Sequence, residues 1–325
     1  MRKLPRVAAL VFAGVLVLTG CGGGADDADV DVAPDSSADE TSTTESTGGK
    51  DSQFSTELTP PDVELEVTDA PGSWALSPDG TQAVKSDATF GSSLSLTVFS
   101  TADGSVSGEI DKPDITNDAG VLAGWIDDGL VINASEQIMF MSPTGEVTRT
   151  IAADCTVEAF SGNWAVATAL VPVCAVNLDT EELVVDEGAL GTMEGLSFLT
   201  DGLDGQVLWV KSRDISAYEF DPATLTKSDQ ELDIAALAGV IPASGGSVPG
   251  QLWAVSADRS TWAFAVYEER IEGTSLVVTV IRDGEQIARV HARGPILFTP
   301  DGSTMLAQYA PDFDGSPSQV GIWNF

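Results

Sequence analysis

Basic residues are scarce. The 325-residue chain has 15 Lys+Arg against 50 Asp+Glu, a formal charge of −35. Phosphate binding needs a basic stripe, and no stretch of this sequence supplies one, which argues against nucleic acid as a partner. Anionic lipid headgroups would be repelled by the same surface. There is a single histidine, His291, which excludes multi-histidine metal sites and leaves only one candidate base for nucleophile–histidine catalysis. The surrounding "ARVHARG" reads as the end of a strand followed by a connection, so His291 is expected at a strand end or on the surface. The apolar run Val7–Leu18 is about a dozen residues, short of the roughly 20 that a membrane-spanning helix needs. Long amphipathic helices are missing too. The one helical candidate is "DIAALAGVI" (Asp233–Ile241), read as a short turn inside an insertion.

What is present begins with a seam. Arg2, Lys3 and Arg6 form a basic flank, Val7–Leu18 follows, and the run ends in "LTGC" (Leu18–Cys21). This pattern suits an export signal, and its end resembles the bacterial lipobox. The resemblance implies diacylglyceryl transfer to the Cys21 thiol and cleavage after Gly20. Residues 1–20 are then a lipoprotein signal peptide. The mature chain keeps 12 of the 15 basic residues, all 50 acids, and a place on the extracytoplasmic side of a bacterial cell membrane, held through the Cys21 lipid.

Residues 21–60 are built from Gly, Ala, Asp, Ser, Thr and Glu, and "DSSADETSTTESTGGKDSQ" has no apolar periodicity. Such a segment cannot bury enough apolar surface to offset its ordering entropy, and is expected to be disordered. About 40 flexible residues span roughly 35 Å r.m.s., more with self-repulsion.

Residues 61–325 read as short β-type runs separated by Gly, Asp and Pro turns. One phrase recurs. "WALSPDGTQAV" (Trp74–Val84) matches "ILFTPDGSTMLA" (Ile296–Ala307), and "WAVSADRSTWAFAV" (Trp253–Val266) is a degraded copy with Ala257 and Arg259 in place of Pro and Gly. Fainter copies begin near residues 122, 158 and 196. The phrase encodes a hairpin: Pro78 and Pro300 preset φ, Asp79 and Asp301 cap the turn, and Gly80 and Gly302 take the left-handed conformation. A second hairpin follows each copy, with turns such as Asp103-Gly104 and Thr144-Gly145. Two hairpins make a four-stranded antiparallel sheet, and the mean spacing of about 44 residues suits a propeller blade.

"SPDG" and "TPDG" followed by an apolar strand resemble the blade signature of TolB-like and WD-repeat-like β-propellers. The expected fold is all-β, a propeller of six four-stranded antiparallel blades, with seven as the alternative if Asp233–Gly250 hides further strands. The sixth sheet supplies only three strands, Pro295–Phe298, Thr304–Tyr309 and Val320–Phe325. The strictly alternating "VELEV" (Val63–Val67) is expected to pair beside Val320–Trp323 and close the ring.

Cys155 and Cys174 remain once Cys21 carries lipid, and outside the cytoplasm two leftover cysteines usually pair. A bridge closing that loop would contribute roughly 3 kcal/mol in the chain-entropy model, and two buried free thiols are the alternative. The tryptophans lie in or beside the strands and read as packing between blades. Asn133–Ser135 is a sequon, of little weight in a bacterium. No catalytic signature, cofactor motif or metal-ligand spacing appears. The reading is a monomeric, non-catalytic binding or scaffold lipoprotein for a protein or cell-wall component. The alternative is an extracytoplasmic propeller enzyme, a glycan or lactone hydrolase or lyase, using carboxylates at the channel mouth.

Overall fold

The computed structural model describes residues 55–325 except 56, 68–69, 71, 88–92, 117–120, 128, 135–136, 154–155, 158, 168–172, 187–195, 200–206, 212–216, 240–250, 271–272 and 313–317, and only the backbone of strand residues 116, 121, 161, 167, 173, 186, 196–199, 207–211, 227, 251, 267–270 and 273–275. The chain divides into two compact units, Met1–Asp51 and Ser52–Phe325, and the described residues all belong to the second.

Strand β1 (Val63–Glu64) precedes a run of antiparallel sheets. Blade 1 is β2 (Ser73–Leu76), β3 (Gln82–Ser86), β4 (Ser93–Ser100) and β5 (Val106–Thr116). Blade 2 is β6 (Val121–Ile126), β7 (Gly129–Ala134), β8 (Gln137–Met141) and β9 (Val147–Ala152). Blade 3 is β10 (Ala159–Ser161), β11 (Trp164–Ala167), β12 (Val173–Asn177) and β13 (Leu183–Asp186). Blade 4 is β14 (Leu196–Leu199), β15 (Val207–Lys211), β16 (Ala217–Asp221) and β17 (Thr226–Leu232). A single-turn helix, α1 (Ile234–Leu237), follows, with the Asp233 side chain accepting from the Ala236 N–H. Blade 5 is β18 (Gln251–Val255), β19 (Thr261–Arg270), β20 (Gly273–Arg282) and the first half of β21 (Glu285–Phe298).

The second half of β21 opens blade 6. The strand pairs with β20 as far as His291, shifts register between Ala292 and Ile296, and then pairs with β22 (Thr304–Tyr309), which pairs with β23 (Gln319–Asn324). β1 supplies the fourth strand, Val63 facing Ile322 and Glu64 facing Gly321. The described strands therefore make six blades, and the N-terminal strand closes the ring as the alternating "VELEV" implies.

The blades pack face to face. Leu94, Leu96 and Ile110 of blade 1 join Leu122, Leu130 and Met139 of blade 2. Phe140 and Ile151 of blade 2 meet Ala165 and Val176 of blade 3. Ala217 of blade 4 meets Trp262 and Phe264 of blade 5, Val278 and Val290 of blade 5 meet Met305 and Trp323 of blade 6, and Leu306 and Ile322 of blade 6 meet Trp74 and Phe99 of blade 1. A middle strand is covered on both faces, which is why "TMLAQY" (β22) reads as an almost unbroken apolar run and is buried at all six positions. An outer strand such as β9, "VTRTIA", is exposed at most positions. Trp74, Trp262 and Trp323 are buried and Trp125 and Trp253 lie against the inter-blade clusters, as packing requires.

The closing segment does more than add one strand. Thr59 N–H donates to the Arg289 carbonyl and Thr59 Oγ1 accepts from Arg289 N–H, both in blade 5. Trp323 Nε1 donates to Thr59 O, Asp62 N–H to Ile322 O and Asn324 N–H to Asp62 Oδ2, all involving blade 6. Glu66 N–H then donates to Gly104 O in blade 1. Residues 59–66 thus bond to three consecutive blades. Gly321 has no side chain because Pro61 occupies the place where a Cβ would sit, 2.7 Å from the Pro61 ring.

His291 differs from expectation. It lies inside β21, is 1 % exposed, and its Nδ1 sits 2.7 Å from the Asp312 carbonyl. The local sequence suggests a strand end because it anticipates a turn between blades 5 and 6. The chain instead crosses between them as one strand bent at a bulge. Asn133 is buried, its side-chain amide donating to Val157 O and accepting from Val157 N–H, so the sequon is spent on joining blades 2 and 3.

Candidate functional site

The recurring turns converge on a common hydrogen-bond plan. In blade 1, Asp79 Oδ1 accepts from Ser77 Oγ at 2.7 Å, Thr81 N–H at 3.1 Å and Thr81 Oγ1 at 2.9 Å, while Ser77 Oγ accepts from Gln82 N–H. In blade 6, Asp301 Oδ1 accepts from Thr299 Oγ1, Ser303 N–H and Ser303 Oγ, and Thr299 Oγ1 accepts from Thr304 N–H. In blade 5, Asp258 Oδ1 accepts from Ser256 Oγ and Ser260 N–H, and Ser256 Oγ accepts from Thr261 N–H. The carboxylate is the hub, so the turn survives loss of both proline and glycine in blade 5.

These bonds favour the ionised carboxylate. The Ser77 hydroxyl, followed by the Thr81 N–H and hydroxyl, holds the Asp79 carboxyl below its ordinary value of 3.8. The Ser303 N–H, with the Thr299 and Ser303 hydroxyls, does the same for Asp301 against an opposing cost of burial. Asp103, in the second turn of blade 1, is lowered by the Ser105 hydroxyl and N–H. The acids with displaced ionisation are therefore turn anchors. Among the described residues no three His, Cys, Asp or Glu side chains converge as metal ligands.

Each turn also leans on the preceding blade. Gly80, at φ +70°, faces Thr304 and Thr299 of blade 6, and a Cβ there would lie 2.9 Å from Thr304 Oγ1. Gly302, at φ +65°, faces Thr261 and Ser256 of blade 5 in the same way. Thr261 Oγ1 donates to Gly302 O, Ser260 Oγ to Asp301 O, and Asp258 N–H to Pro300 O. In blade 5 the glycine position is Arg259, at φ +57°. Its guanidinium reaches back to blade 4 and grips Glu219 with two bonds of 2.6 and 2.9 Å. The degraded copy replaces a glycine contact by a two-pronged ion pair. The sequence gives no sign of it, because Arg259 and Glu219 are forty residues apart.

The inner strands carry no ionisable residue at all. "SWAL", "VLAGWI", "AFS", "LSFL", "QLWAV" and the "GPILF" end of β21 are neutral in a chain with 50 acids. Charge on the strands starts outward of these, as at Lys85 on β3 and Glu219 on β16. Cys174 is buried on β12, and Cys21 and Cys155 lie outside the described residues.

No protein-family model and no curated protein matches the chain. Among solved structures, Hsv2 from Kluyveromyces lactis is similar at 9% identity over 73% of this chain and 69% of that one, with a TM-score of 0.39. The Pan2 WD40 domain of Neurospora crassa is similar at 8% identity over 78% of each chain, with a TM-score of 0.40. Raptor from Chaetomium thermophilum is similar at 10% identity over 82% of this chain and 29% of that one, with a TM-score of 0.47. At these scores the propeller assignment stands on sheet order, blade packing and closure alone: the chain folds as a six-bladed β-propeller.

Proposed function

We propose that this chain is a lipid-anchored, extracytoplasmic β-propeller that binds a protein or cell-envelope component and holds it near the membrane. The observation that carries the reading is the closed ring, with residues 59–66 bonded to blades 5, 6 and 1. A ring locked at its seam is a rigid platform for loops, the arrangement on which binding surfaces are commonly built. The lipobox at Leu18–Cys21 and the acidic stretch before Thr59 support a tether. A disulfide between Cys174 and Cys155 is part of the proposal, supported by the burial of Cys174 on β12 and by its disulfide-bonded state.

Crosslinking in intact cells followed by affinity capture tests the binding role, and an enriched partner is expected. Recovery of background proteins alone overturns it. Labelled fatty acid is expected on the wild type and not on Cys21→Ser, and equal labelling of both overturns the anchor. Mass spectrometry of the unreduced protein is expected to yield a peptide joining Cys155 and Cys174, and free thiols at both would remove that element.

A further inference from the structure

Among the outer strands of blades 1 to 5, β13 stands apart. β5, β9, β17 and β21 each pair with their inner neighbour through a bulge. They also carry charge or proline, Lys112 and Pro113 on β5, Arg149 on β9, Asp229 on β17 and Glu285 on β21, where Thr59 in addition bonds the backbone of Arg289. β13 pairs with β12 through four consecutive positions with no register shift, Val173 to Asp186, Cys174 to Val185, Ala175 to Val184 and Val176 to Leu183. Its core is three consecutive aliphatic residues, Leu183, Val184 and Val185. Leu183 and Val185 share one face, opposite the buried Val176 and Cys174, and are 40% and 44% exposed. Among the described residues no strand pairs with its outer edge. A regular, apolar, unprotected edge is a template for one more strand.

We infer that the outer edge of β13 is a docking site for an extended segment of a partner protein that alternates apolar residues and is flanked by Lys or Arg. The charge decides the occupant. Exposed Asp179, Glu181 and Glu182 precede β13, with Glu181 paired to Arg149 of β9, so the approach to the apolar template keeps a net negative charge, and the sequence places Asp186 at its end. A second copy would bring the same acids to the same edge, on top of a formal −35 per chain. A basic-flanked strand gains main-chain hydrogen bonds along the edge, apolar contact with Leu183 and Val185, and opposite charge against the acidic approach to β13. This rests on the binding role proposed above and names the kind of partner.

The test uses the full-length protein in nonionic detergent and a fluorescein-labelled RVTVTVR peptide, with EVTVTVE and the strand-breaking RVTPTVR as comparisons. Anisotropy is expected to show the basic peptide binding at least about tenfold more tightly than either comparison, with binding weakened by salt. Hydrogen exchange is expected to show new protection at Leu183–Asp186. Val185→Lys is expected to weaken binding about tenfold, and Val147→Lys, at a similarly exposed position on β9, to leave it unchanged. Absence of binding, protection elsewhere, or equal affinity of all three peptides overturns the inference. So does a concentration-dependent dimer that Val185→Lys abolishes, since the occupant is then a second copy. The peptide comparison and exchange map decide the matter even if Val185→Lys lowers stability. A partner captured from cells equally by wild type and Val185→Lys overturns the β13 assignment and leaves the binding role standing.

Discussion

Arg259 of blade 5 holds Glu219 of blade 4 by two parallel hydrogen bonds, 2.6 and 2.9 Å long, from a backbone position that two other blades give to glycine. Both side chains are about three-quarters buried. Removing the arginine should therefore depend on what replaces it. Arg259→Ala keeps the left-handed strain and loses the ion pair, and is expected to cost about 1–3 kcal/mol in urea unfolding. Arg259→Gly loses the pair and relieves the strain, and should lie about 1 kcal/mol closer to the wild type. Equal effects of the two variants would mean that the backbone conformation is not what limits this turn.

Gly80 and Gly302 test the same contact where it is made by backbone. An added methyl at either position is opposed twice, by positive φ and by a threonine of the preceding blade. Gly80→Ala is expected to destabilise by about 1–3 kcal/mol, and Gly302→Ala by more, since Thr261 approaches its turn more closely than Thr304 approaches Gly80. Unfolding midpoints of the two variants, compared with Gly108→Ala where the nearest side chain is 4.0 Å away, give the measure.

The blade cadence is legible in the sequence because Pro-Asp-Gly turns are local chemistry: Ser77, Asp79 and Thr81 satisfy one another within five residues. The degraded copy at Ser256–Thr261 remains recognisable because it keeps the serine and the aspartate that make the bonds. Closure by Val63–Val67 is legible from alternation and from the three-stranded last sheet. The contacts of Thr59 with Arg289 and Trp323 are not, since they join residues more than two hundred positions apart. His291 is misplaced by local reading because β21 passes between two blades where a turn is expected. β13 shows nothing unusual as a string of letters, and its regular pairing appears only against the bulges of β5, β9, β17 and β21.

Acid should weaken the turns in a defined window. Asp79 and Asp301 have folded-state values below 3.8, so their stabilisation is present above that pH and is lost as pH falls from there through the folded-state values. The double variant Asp79→Asn, Asp301→Asn is expected to be less stable than wild type at neutral pH. The difference should shrink as both are taken below 3.8. Urea unfolding across that range checks it, and a gap that stays constant with pH would mean that the carboxylates act through shape and not through charge.

The closing strand makes the opposite prediction at high pH. Tyr309 donates its hydroxyl to Glu64 on β1 at 2.7 Å and meets Trp323 edge-on at 5.2 Å. Burial first, then the Glu64 bond and charge, hold its phenol well above the ordinary 10.0. A raised value means that the contribution is complete below 10.0 and is lost as pH rises from there through the folded-state value. Tyr309→Phe removes the titrating group and leaves Glu64 without this donor. It is expected to cost about 1–2 kcal/mol at neutral pH and to flatten the loss of stability above pH 10.0. Glu64→Gln keeps an acceptor, removes the charge, and should lower the Tyr309 value in ultraviolet titration. If Glu64→Gln leaves that titration unchanged, burial alone sets the phenol, and the bond to β1 adds no electrostatic hold on the seam.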